Sequence, residues 1–433
     1  MRLRSRYDRE IFRLAVPALG ALAAEPAYIL VDTAIVGHLG RAPLAALGLA
    51  ATALSVVVLF NFLQYGTTAQ VARATGAGEH ETAARFGAQV LWLSLALGGL
   101  LAVFLVVAAP AIVSLLGGEG RSAELAVTYL RIVSIGVPSA FVALGTQGYF
   151  RGVSDLRTPL LVLIAGNVLN AVLEVLFVYG FGWGIEGSAA GTAVAQTMMG
   201  AAFVWLTLRR VGRPLWLLRP ALAVRLLSIG KFLFLRTAAL VASFVLAGAV
   251  AARFGDAAIG AHQVAFQLWV FLALMLDAVA IAGQIIVGRE LGAARAREAY
   301  DASVRMIVLS AVVGLGFTAV LLALAGVLPR AFTGDTLVLD ACAGIWLLFA
   351  LMQPLNGVVF ALDGILIGAG DGPYLAWSML VSFAVCGTLL VGALAWEWGL
   401  RGVWAALVAL IVVRMALMLA RFRKRAWLVV GWT

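Results

Sequence analysis

Charged residues and cysteines are scarce in this chain. Only 12% of its 433 residues are Asp, Glu, Lys or Arg, whereas about a quarter of a soluble domain is charged. The two cysteines, Cys342 and Cys386, both lie in apolar runs, so no disulfide framework is expected. The three histidines are scattered without the spacing of metal ligands, and no metal site is predicted. The composition therefore argues against a soluble fold, a disulfide scaffold and a metal centre.

Apolar sequence is what the chain has in abundance. Hydrophobic residues make up 63% of it. The chain also has 47 glycines, and small residues such as glycine let membrane helices pack closely. Twelve apolar runs reach the length of roughly 20 residues that a helix needs to cross a bilayer. The predicted spans are 11–38, 44–72, 84–114, 123–150, 158–180, 187–209, 226–253, 258–288, 297–328, 336–368, 373–396 and 401–421. The fold class is therefore predicted to be an all-α, multi-pass membrane protein.

The net charge of +10 has two readings. In a soluble protein it would suggest nucleic acid, but in a membrane protein it reports orientation. If the N-terminus is cytoplasmic, most basic residues fall on the inner side, which by the positive-inside rule places both termini in the cytoplasm. The predicted partner is then the lipid bilayer and not nucleic acid. A cleaved signal peptide is another reading of the Arg-rich start, but its removal would leave eleven spans.

The sequence repeats itself at a distance of about 215 residues. Gly40 returns as Gly255, and Asp155 returns as Asp371. Six spans bring a chain back to its starting side, so the two copies insert in the same orientation. They are expected to form parallel six-helix bundles, related by a pseudo-two-fold axis along the membrane normal, with a central cleft. The predicted domains are a bundle at 1–209, a cytoplasmic linker at 210–225, a second bundle at 226–421 and a cytoplasmic tail at 422–433.

Motifs of energy conversion and catalysis are missing from the sequence. The Gly230-Lys231 pair has neither the upstream glycine nor the following Ser or Thr of a phosphate loop. Neither a soluble catalytic domain nor a nucleophile–base pair is recognisable, and nothing resembles an ion-selectivity filter. The chain is therefore predicted to be a transporter and not an enzyme, channel or receptor. An ion gradient is the expected source of energy.

Among the acidic residues inside predicted spans, where each charge costs about 2.5–3.5 kcal/mol, two stand out by their position. Asp32 in the first span and Glu174 in the fifth both lie about six residues from the outer end, so they share a depth. Asn170 lies one helical turn below Glu174 on the same face, and Asn167 extends this stripe. Two carboxyls at one depth are not both expected to stay ionised, so Asp32, Asn170 and Glu174 are predicted to couple transport to an ion. The alternatives are a backbone-capping Asp32 and a Glu174 that reaches outward.

The repeat confines this cluster to one bundle. Shifted by the repeat distance, Asp32 falls on Ala247 or Gly248, and Glu174 falls on a leucine. The coupling chemistry is therefore expected in the N-terminal bundle alone.

A proline lies six residues before the first of these acids. Pro26 removes a helix hydrogen bond and predicts a kink in the first helix, either as part of a two-state element or as a static bend. The neighbouring Glu25 is a second titratable group or the partner of a basic residue, and the sequence does not decide between these roles.

Other polar residues inside the spans are predicted to line a substrate pathway. Two pairs obey the repeat, since Asn61 corresponds to Asp277 and Gln147 to Asp363. An interfacial position for Asp363, or an ion pair of Asp277 with Arg236, would instead be structural. The full set of predicted pathway residues is Asn61, Gln64, Gln147, Asn167, Asp277 and Asp363.

Several of these segments resemble a known transporter family. VDTAIVGHLG after a proline-bearing first span resembles the first helix of multidrug and toxic compound extrusion (MATE) transporters. NAVLEVLFVYGFGWGIEGSAAGTAVAQ resembles their fifth and sixth helices, IGAHQVAFQ the eighth, and FALDGILIGAGD the tenth. The Asp-Gly pair in the last motif is typical of the DinF-like branch. The resemblance covers essentially the whole chain.

The resemblance implies an antiporter that exports amphipathic, often cationic, compounds against H⁺ or Na⁺. In such proteins the first-helix aspartate, here Asp32, is the main coupling residue, and an Asn and an acid match Asn170 and Glu174. This chain has Glu where the family usually has Asp. The seventh span, 226–253, carries no acid, which favours the DinF-like branch and H⁺. The expectation is a monomeric, proton-coupled exporter of the inner cell membrane, with Na⁺ as the alternative ion and no cofactor.

A lipid-linked precursor flippase of the same superfamily is the alternative function. Such a protein would be expected to line its cleft with several arginines for a pyrophosphate group. Arg236 is the one arginine that the sequence places well inside a span.

Overall fold

The computed structural model describes residues 7–212 and 216–431, without the side chain of Glu25. Some predictions fall outside these described residues. They concern the role of Glu25, the central part of the linker and both ends of the chain.

Every regular element in the described residues is a helix. The first repeat contains α1 (Asp8–Gly37), α2 (Arg41–Leu54), α3 (Phe62–Gly76), α4 (His80–Leu115), α5 (Gly120–Val133), α6 (Val137–Gly152), α7 (Arg157–Val175) and α8 (Gly184–Val211). The second contains α9 (Pro220–Ala252), α10 (Asp256–Gly292), α11 (Ala296–Ala323), α12 (Thr336–Leu351), α13 (Gln353–Gly368), α14 (Gly372–Ala395) and α15 (Gly399–Arg423). A tight 3₁₀ turn, Ser55–Asn61, joins α2 to α3, and a wide π turn, Leu176–Gly180, follows α7.

Ten candidate spans in the described residues are long and apolar enough to cross a membrane, and two bent helix pairs bring the number to twelve. The pairs are α5 with α6, bent by 56°, and α12 with α13, bent by 47°. Each second helix of a pair carries a proline in its first turn, Pro138 or Pro354, where the missing N–H removes no helix bond. The predicted twelve-span, all-α membrane architecture is confirmed. The apolar runs 123–150 and 336–368, however, are broken spans.

The chain packs as two units. One consists of Gly20–Gly230 and is called the first-repeat unit here. The other, the second-repeat unit, consists of the described residues up to Leu19 together with those from Lys231 onward. Both divisions fall inside a helix, α1 or α9. These packing limits differ from the repeat-based limits 1–209 and 226–421, which remain a prediction.

Glycines allow equivalent helix crossings in both units. A Cβ atom on Gly148 of α6 would lie 2.5 Å from the carbonyl oxygen of Gln64 in α3. A Cβ atom on Gly364 of α13 would lie 2.2 Å from the carbonyl oxygen of Ala280 in α10. Both the glycines and their partners are related by the repeat. Backbones this close leave no room for a side chain, as is typical of helix packing in membranes.

An acid in a loop also recurs with the same role. Asp155 accepts a hydrogen bond of 2.5 Å from Arg210, and Asp371 accepts one of 2.7 Å from Arg421. Each pair ties the loop before a proline-bearing helix to the last helix of its own repeat. Burial raises the pKa of Asp155, but hydrogen bonds from Thr158 and Arg210 outweigh burial and leave that pKa below its ordinary value.

Candidate functional site

The predicted coupling residues meet inside the first-repeat unit. Asp32 lies on α1, and Asn170 and Glu174 lie one turn apart on one face of α7. The exposed fractions are 5% for Asp32, 4% for Asn170 and 0% for Glu174. The carboxyl groups of Asp32 and Glu174 interact directly with each other. The shared depth inferred from the sequence thus corresponds to a buried carboxyl pair, whose role in coupling remains a prediction.

Hydroxyl groups of α8 hold both carboxyls. Ser188 Oγ donates to Asp32 Oδ1 at 2.8 Å, and Thr192 Oγ1 donates to Glu174 Oε1 at 3.3 Å. Ser188 and Thr192 are four residues apart and therefore share a face of α8. Gly191 lets this face approach α7, because a Cβ atom there would lie 3.2 Å from Glu174.

Two tyrosines complete the cluster. The hydroxyl of Tyr28, one turn before Asp32 on α1, lies 3.3 Å from Thr192 Oγ1. Tyr129 of α5 is buried, and its hydroxyl interacts with Asp32 and Ser188. These tyrosines and the α8 hydroxyls were not among the residues predicted from the sequence. The available signal was the spacing of Tyr28 and Asp32, which puts both on one face of α1.

Two buried oxygens of the cluster have no donor. Glu174 Oε2 and Asn170 Oδ1 lack a hydrogen-bond partner among the described residues. A buried polar atom left unpaired costs about 1–3 kcal/mol. A proton on the carboxyl pair would give one of these oxygens a donor, and a small cation would be coordinated by oxygen atoms of the kind that hard cations prefer. The arrangement is chemically suited to bind H⁺ or a small cation.

In the described part of the second repeat, the positions that correspond to this cluster carry apolar residues. The repeat carries Tyr28 to Phe244, Asp32 to Gly248 and Glu174 to Leu390. The positions that correspond to the whole cluster, apart from Tyr129, are Phe244, Gly248, Cys386, Leu390, Val403 and Leu407. All of these except Gly248 belong to one buried apolar core. The same place in the fold is thus polar in one copy and apolar in the other.

The predicted pathway residues of the first repeat have separate environments. Gln64 Nε2 donates to Gln147 Oε1 at 3.2 Å between buried side chains. Asn167 Nδ2 donates to the carbonyl oxygen of Ala24 at 2.8 Å. Asn61 is half-buried at the end of the turn before α3. In the second repeat, Asp277 is half-buried on α10. Their roles in substrate passage remain a prediction.

Asp363 lies in a buried ion cluster. Its carboxylate accepts two hydrogen bonds from Arg236 and one of 2.6 Å from Arg414 Nη2. The inference that Arg236 is the one arginine well inside a span was wrong, because Arg414 of α15 is only 2% exposed. Arg414 was missed because the hydropathy of its span is high enough to hide one charge. Both guanidinium groups bind Asp363, which gives them a structural partner within the protein.

The comparisons with known proteins agree with this architecture. The family model MatE matches residues 17–176 and 233–391, once in each repeat. DETOXIFICATION 44 of Arabidopsis thaliana, a chloroplastic protein, is 33% identical, with 94% of this chain and 80% of the relative covered. DNA damage-inducible protein F of Escherichia coli K12 is 30% identical, with 97% and 93% covered.

A solved structure shows the same fold. The MATE transporter VcmN of Vibrio cholerae in its bent form has a TM-score of 0.88 at 23% identity, with 96% of each chain covered. Together with the family match to both repeats and the DinF relative, this likeness confirms the resemblance found in the sequence motifs. The chain belongs to the MATE family of multidrug and toxic compound transporters and is a multi-pass membrane protein.

Proposed function

We propose that this protein is a secondary active exporter of amphipathic or cationic organic compounds. It exchanges them for H⁺ by alternating access in the inner cell membrane, with both termini in the cytoplasm. The buried carboxyl pair of Asp32 and Glu174 is the observation that carries this proposal. Two acids beside each other and shielded from water favour the binding of a proton, because burial and the neighbouring carboxylate both disfavour the charged form.

The carboxyl pair supports proton binding for an electrostatic reason. Two ionised carboxylates side by side in a poorly hydrated site repel each other, and one shared proton removes the repulsion. The hydroxyls of Ser188 and Thr192 each stabilise one carboxyl oxygen, so the pair is held in place in either protonation state. The site is thus suited to change its charge without being taken apart.

Exchange follows from competition between the proton and the substrate. A deprotonated cluster attracts a cationic compound, and a protonated cluster, with less negative charge, attracts it more weakly. Because linkage is reciprocal, a substrate that weakens the binding of protons is itself bound more weakly when protons are bound. In the proposed cycle a proton entering from outside binds at Asp32, Glu174 and Asn170 and lowers the negative charge of this cluster. Helix α1 then rearranges at Pro26, and the substrate is released outside.

Sodium is the alternative coupling ion. The oxygens of Asp32, Asn170 and Glu174 form a donor set that a Na⁺ ion could also use. The absence of an acid in span 226–253 favours H⁺.

Efflux of a fluorescent cationic dye from proteoliposomes tests the proposal, with a pH gradient or a sodium gradient imposed in separate experiments. The expected result is export driven by the pH gradient alone, which Asp32→Asn reduces to the level of protein-free liposomes. Asp301→Asn is the matched control, because it neutralises an exposed aspartate of α11 in the second-repeat unit.

Each outcome has a definite meaning. Export driven by sodium alone would replace H⁺ by Na⁺ in the proposal. Full pH-driven export by Asp32→Asn would remove Asp32 from the coupling site. A lack of dye export under either gradient would contradict the proposed function and favour the lipid-linked precursor flippase.

A further inference from the structure

Two side chains from α7 and the turn after it hold the backbone of α1. Asn167 Nδ2 of α7 donates to the carbonyl oxygen of Ala24 at 2.8 Å. Tyr179, in the π turn that follows α7, donates its hydroxyl proton to the carbonyl oxygen of Ile35, also at 2.8 Å. Both bonds join groups that are far apart in sequence. They are therefore tertiary contacts and not part of the hydrogen bonding within a helix.

The two contacts bracket the functional segment of α1. Ala24 and Ile35 lie about three helical turns apart, and the segment between them contains Pro26, Tyr28 and Asp32. Since Pro26 has no N–H, the carbonyl of Leu22 loses its helical partner, and the turn of α1 at this proline is weakened. Asn167 binds the backbone two residues before that proline.

The same face of α7 carries the acid of the coupling site. Asn167, Asn170 and Glu174 recur at helical spacing and form one stripe along α7. This stripe contacts α1 at the level of Ala24 and again at the level of Asp32. Helix α7 therefore binds the backbone of α1 through Asn167 and also supplies Glu174, one of the two acids of the carboxyl pair.

We propose that Asn167 and Tyr179 are positioning residues that clamp α1 onto α7 on either side of Asp32. The clamp keeps the two carboxyls in contact, so that proton binding and transport slow when the bond between Asn167 and Ala24 is lost. This inference rests on the proposed function, because it assigns a role within the same transport cycle.

Hydrogen exchange of α1 in lipid nanodiscs tests the clamp without any transport. Asn167→Leu keeps the approximate size of the side chain and removes its donor. We expect exchange of the peptide that covers residues 20–30 to become about fivefold faster, the factor that corresponds to one hydrogen bond of typical net strength. Unchanged exchange in this peptide would overturn the proposal.

Thr318→Val is the matched control. Thr318 Oγ1 of α11 donates to the carbonyl oxygen of Ala350 in α12 at 2.8 Å. The variant thus removes a bond between helices of the same type and length, but in the second-repeat unit. It should leave the exchange of residues 20–30 unchanged. Faster hydrogen exchange of this peptide in both variants would show general loosening of the protein and would contradict a specific clamp.

Asn167→Asp separates hydrogen bonding from packing. The ionised carboxylate has the same shape as the amide but cannot donate to Ala24, whereas the protonated acid can. Protection of residues 20–30, compared with the wild type at each pH, should therefore recover as the pH is lowered. A role in packing alone predicts the wild-type value for Asn167→Asp at every pH.

Transport kinetics distinguish failure of the clamp from failure of the proposed function. In Asn167→Leu we expect the maximal rate of pH-driven dye export to fall about fivefold, while the dye concentration that gives half the maximal rate stays unchanged. Wild-type protein without export under any gradient contradicts the proposed function, whatever the exchange data show. Normal proton-driven export by the wild type, with export and exchange unaltered in Asn167→Leu, contradicts the clamp alone.

Discussion

At the scale of single residues, one hydroxyl group links several side chains of the buried cluster around Asp32 and Glu174. Thr192 Oγ1 lies 3.2 Å from Asn170 Nδ2 and 3.3 Å from both Glu174 Oε1 and the hydroxyl of Tyr28. A threonine hydroxyl has one proton to donate and two lone pairs to accept with. Thr192 can therefore serve an ionised Glu174 as donor while it accepts from Asn170 and Tyr28.

Removal of this hydroxyl should impair coupling. Thr192→Val keeps the shape of the side chain but leaves Glu174 and Asn170 with fewer partners in a buried site. We expect pH-driven dye export to fall about tenfold, as a loss of roughly 1.4 kcal/mol of stabilisation would produce. Dye efflux from proteoliposomes measures the change.

Thr197→Val is the control for this variant. Among the described residues, the hydroxyl of Thr197 bonds the carbonyl oxygen of Ala193 in its own helix, at 2.7 Å, and no other group, so export should stay near the wild-type rate. Equal export by Thr192→Val and Thr197→Val would show that the Thr192 hydroxyl has no role in coupling.

The acids of the site could be predicted from the sequence, whereas its hydroxyl groups could not. Asp32 and Glu174 were recognisable because a charge inside an apolar span is costly and therefore rare. Ser188 and Thr192 were not, because hydroxyl side chains occur at many positions of membrane helices and bond their own backbone there. Ser188 and Thr192 belong to the site because they lie on the face of α8 that packs against α1 and α7.

At the scale of helices, close crossings depend on single glycines. Gly364 of α13 faces the backbone of Ala280, and a Cβ atom there would lie 2.2 Å from a carbonyl oxygen that cannot move aside without its helix. Gly248 of α9 is different, because a Cβ atom there would find its nearest neighbour, His262 Nε2, at an ordinary contact distance of 3.6 Å.

The two glycines should respond differently to alanine. Gly364→Ala is expected to lower the free energy of unfolding by about 1–3 kcal/mol, because the added methyl group overpacks a helix crossing. Gly248→Ala should leave it unchanged or raise it slightly, because alanine is the better helix former. Thermal unfolding in detergent compares them. Equal midpoints for both variants would show that the crossing of α10 and α13 adapts without strain.

The bent helix pairs show a limit of the hydropathy pattern, which predicted the two spans but not the break inside each of them. Hydropathy alone reads 123–150 and 336–368 as single spans, because each break is too short to lower the mean hydropathy of the whole run. Pro138 and Pro354 carried the missing information, since each disfavours helical geometry in the residue before it. The size of each bend depends on packing against other helices.

At the scale of the whole molecule, the two repeats share a fold but place their charges differently. The first-repeat unit buries a pair of acids that are held by hydroxyls. The second-repeat unit has an apolar core at that place, and it buries Asp363 between Arg236 and Arg414 elsewhere. One cluster contains like charges and the other opposite charges, so the two should differ in function.

Neutralisation of the two aspartates tests this division. Asp363→Asn leaves two buried guanidinium groups without their carboxylate, and we expect a loss of about 3–5 kcal/mol in the free energy of unfolding. Asp32→Asn removes repulsion between like charges and should preserve the stability while it abolishes coupling. Thermal unfolding and folded yield distinguish the variants. A stable Asp363→Asn protein would show that the ion cluster is not a structural element.

Local composition and spacing determine the class of this protein, its twelve spans, its internal repeat and the identity of its buried acids. They suffice because the bilayer imposes a length and an apolar character on each span separately. The tertiary structure decides which hydroxyls hold the acids, that Arg414 joins Arg236 on Asp363, and that Asn167 grips α1 beside Pro26. These contacts depend on which helix faces meet, and such meetings between distant segments are not encoded in the pattern of any one segment.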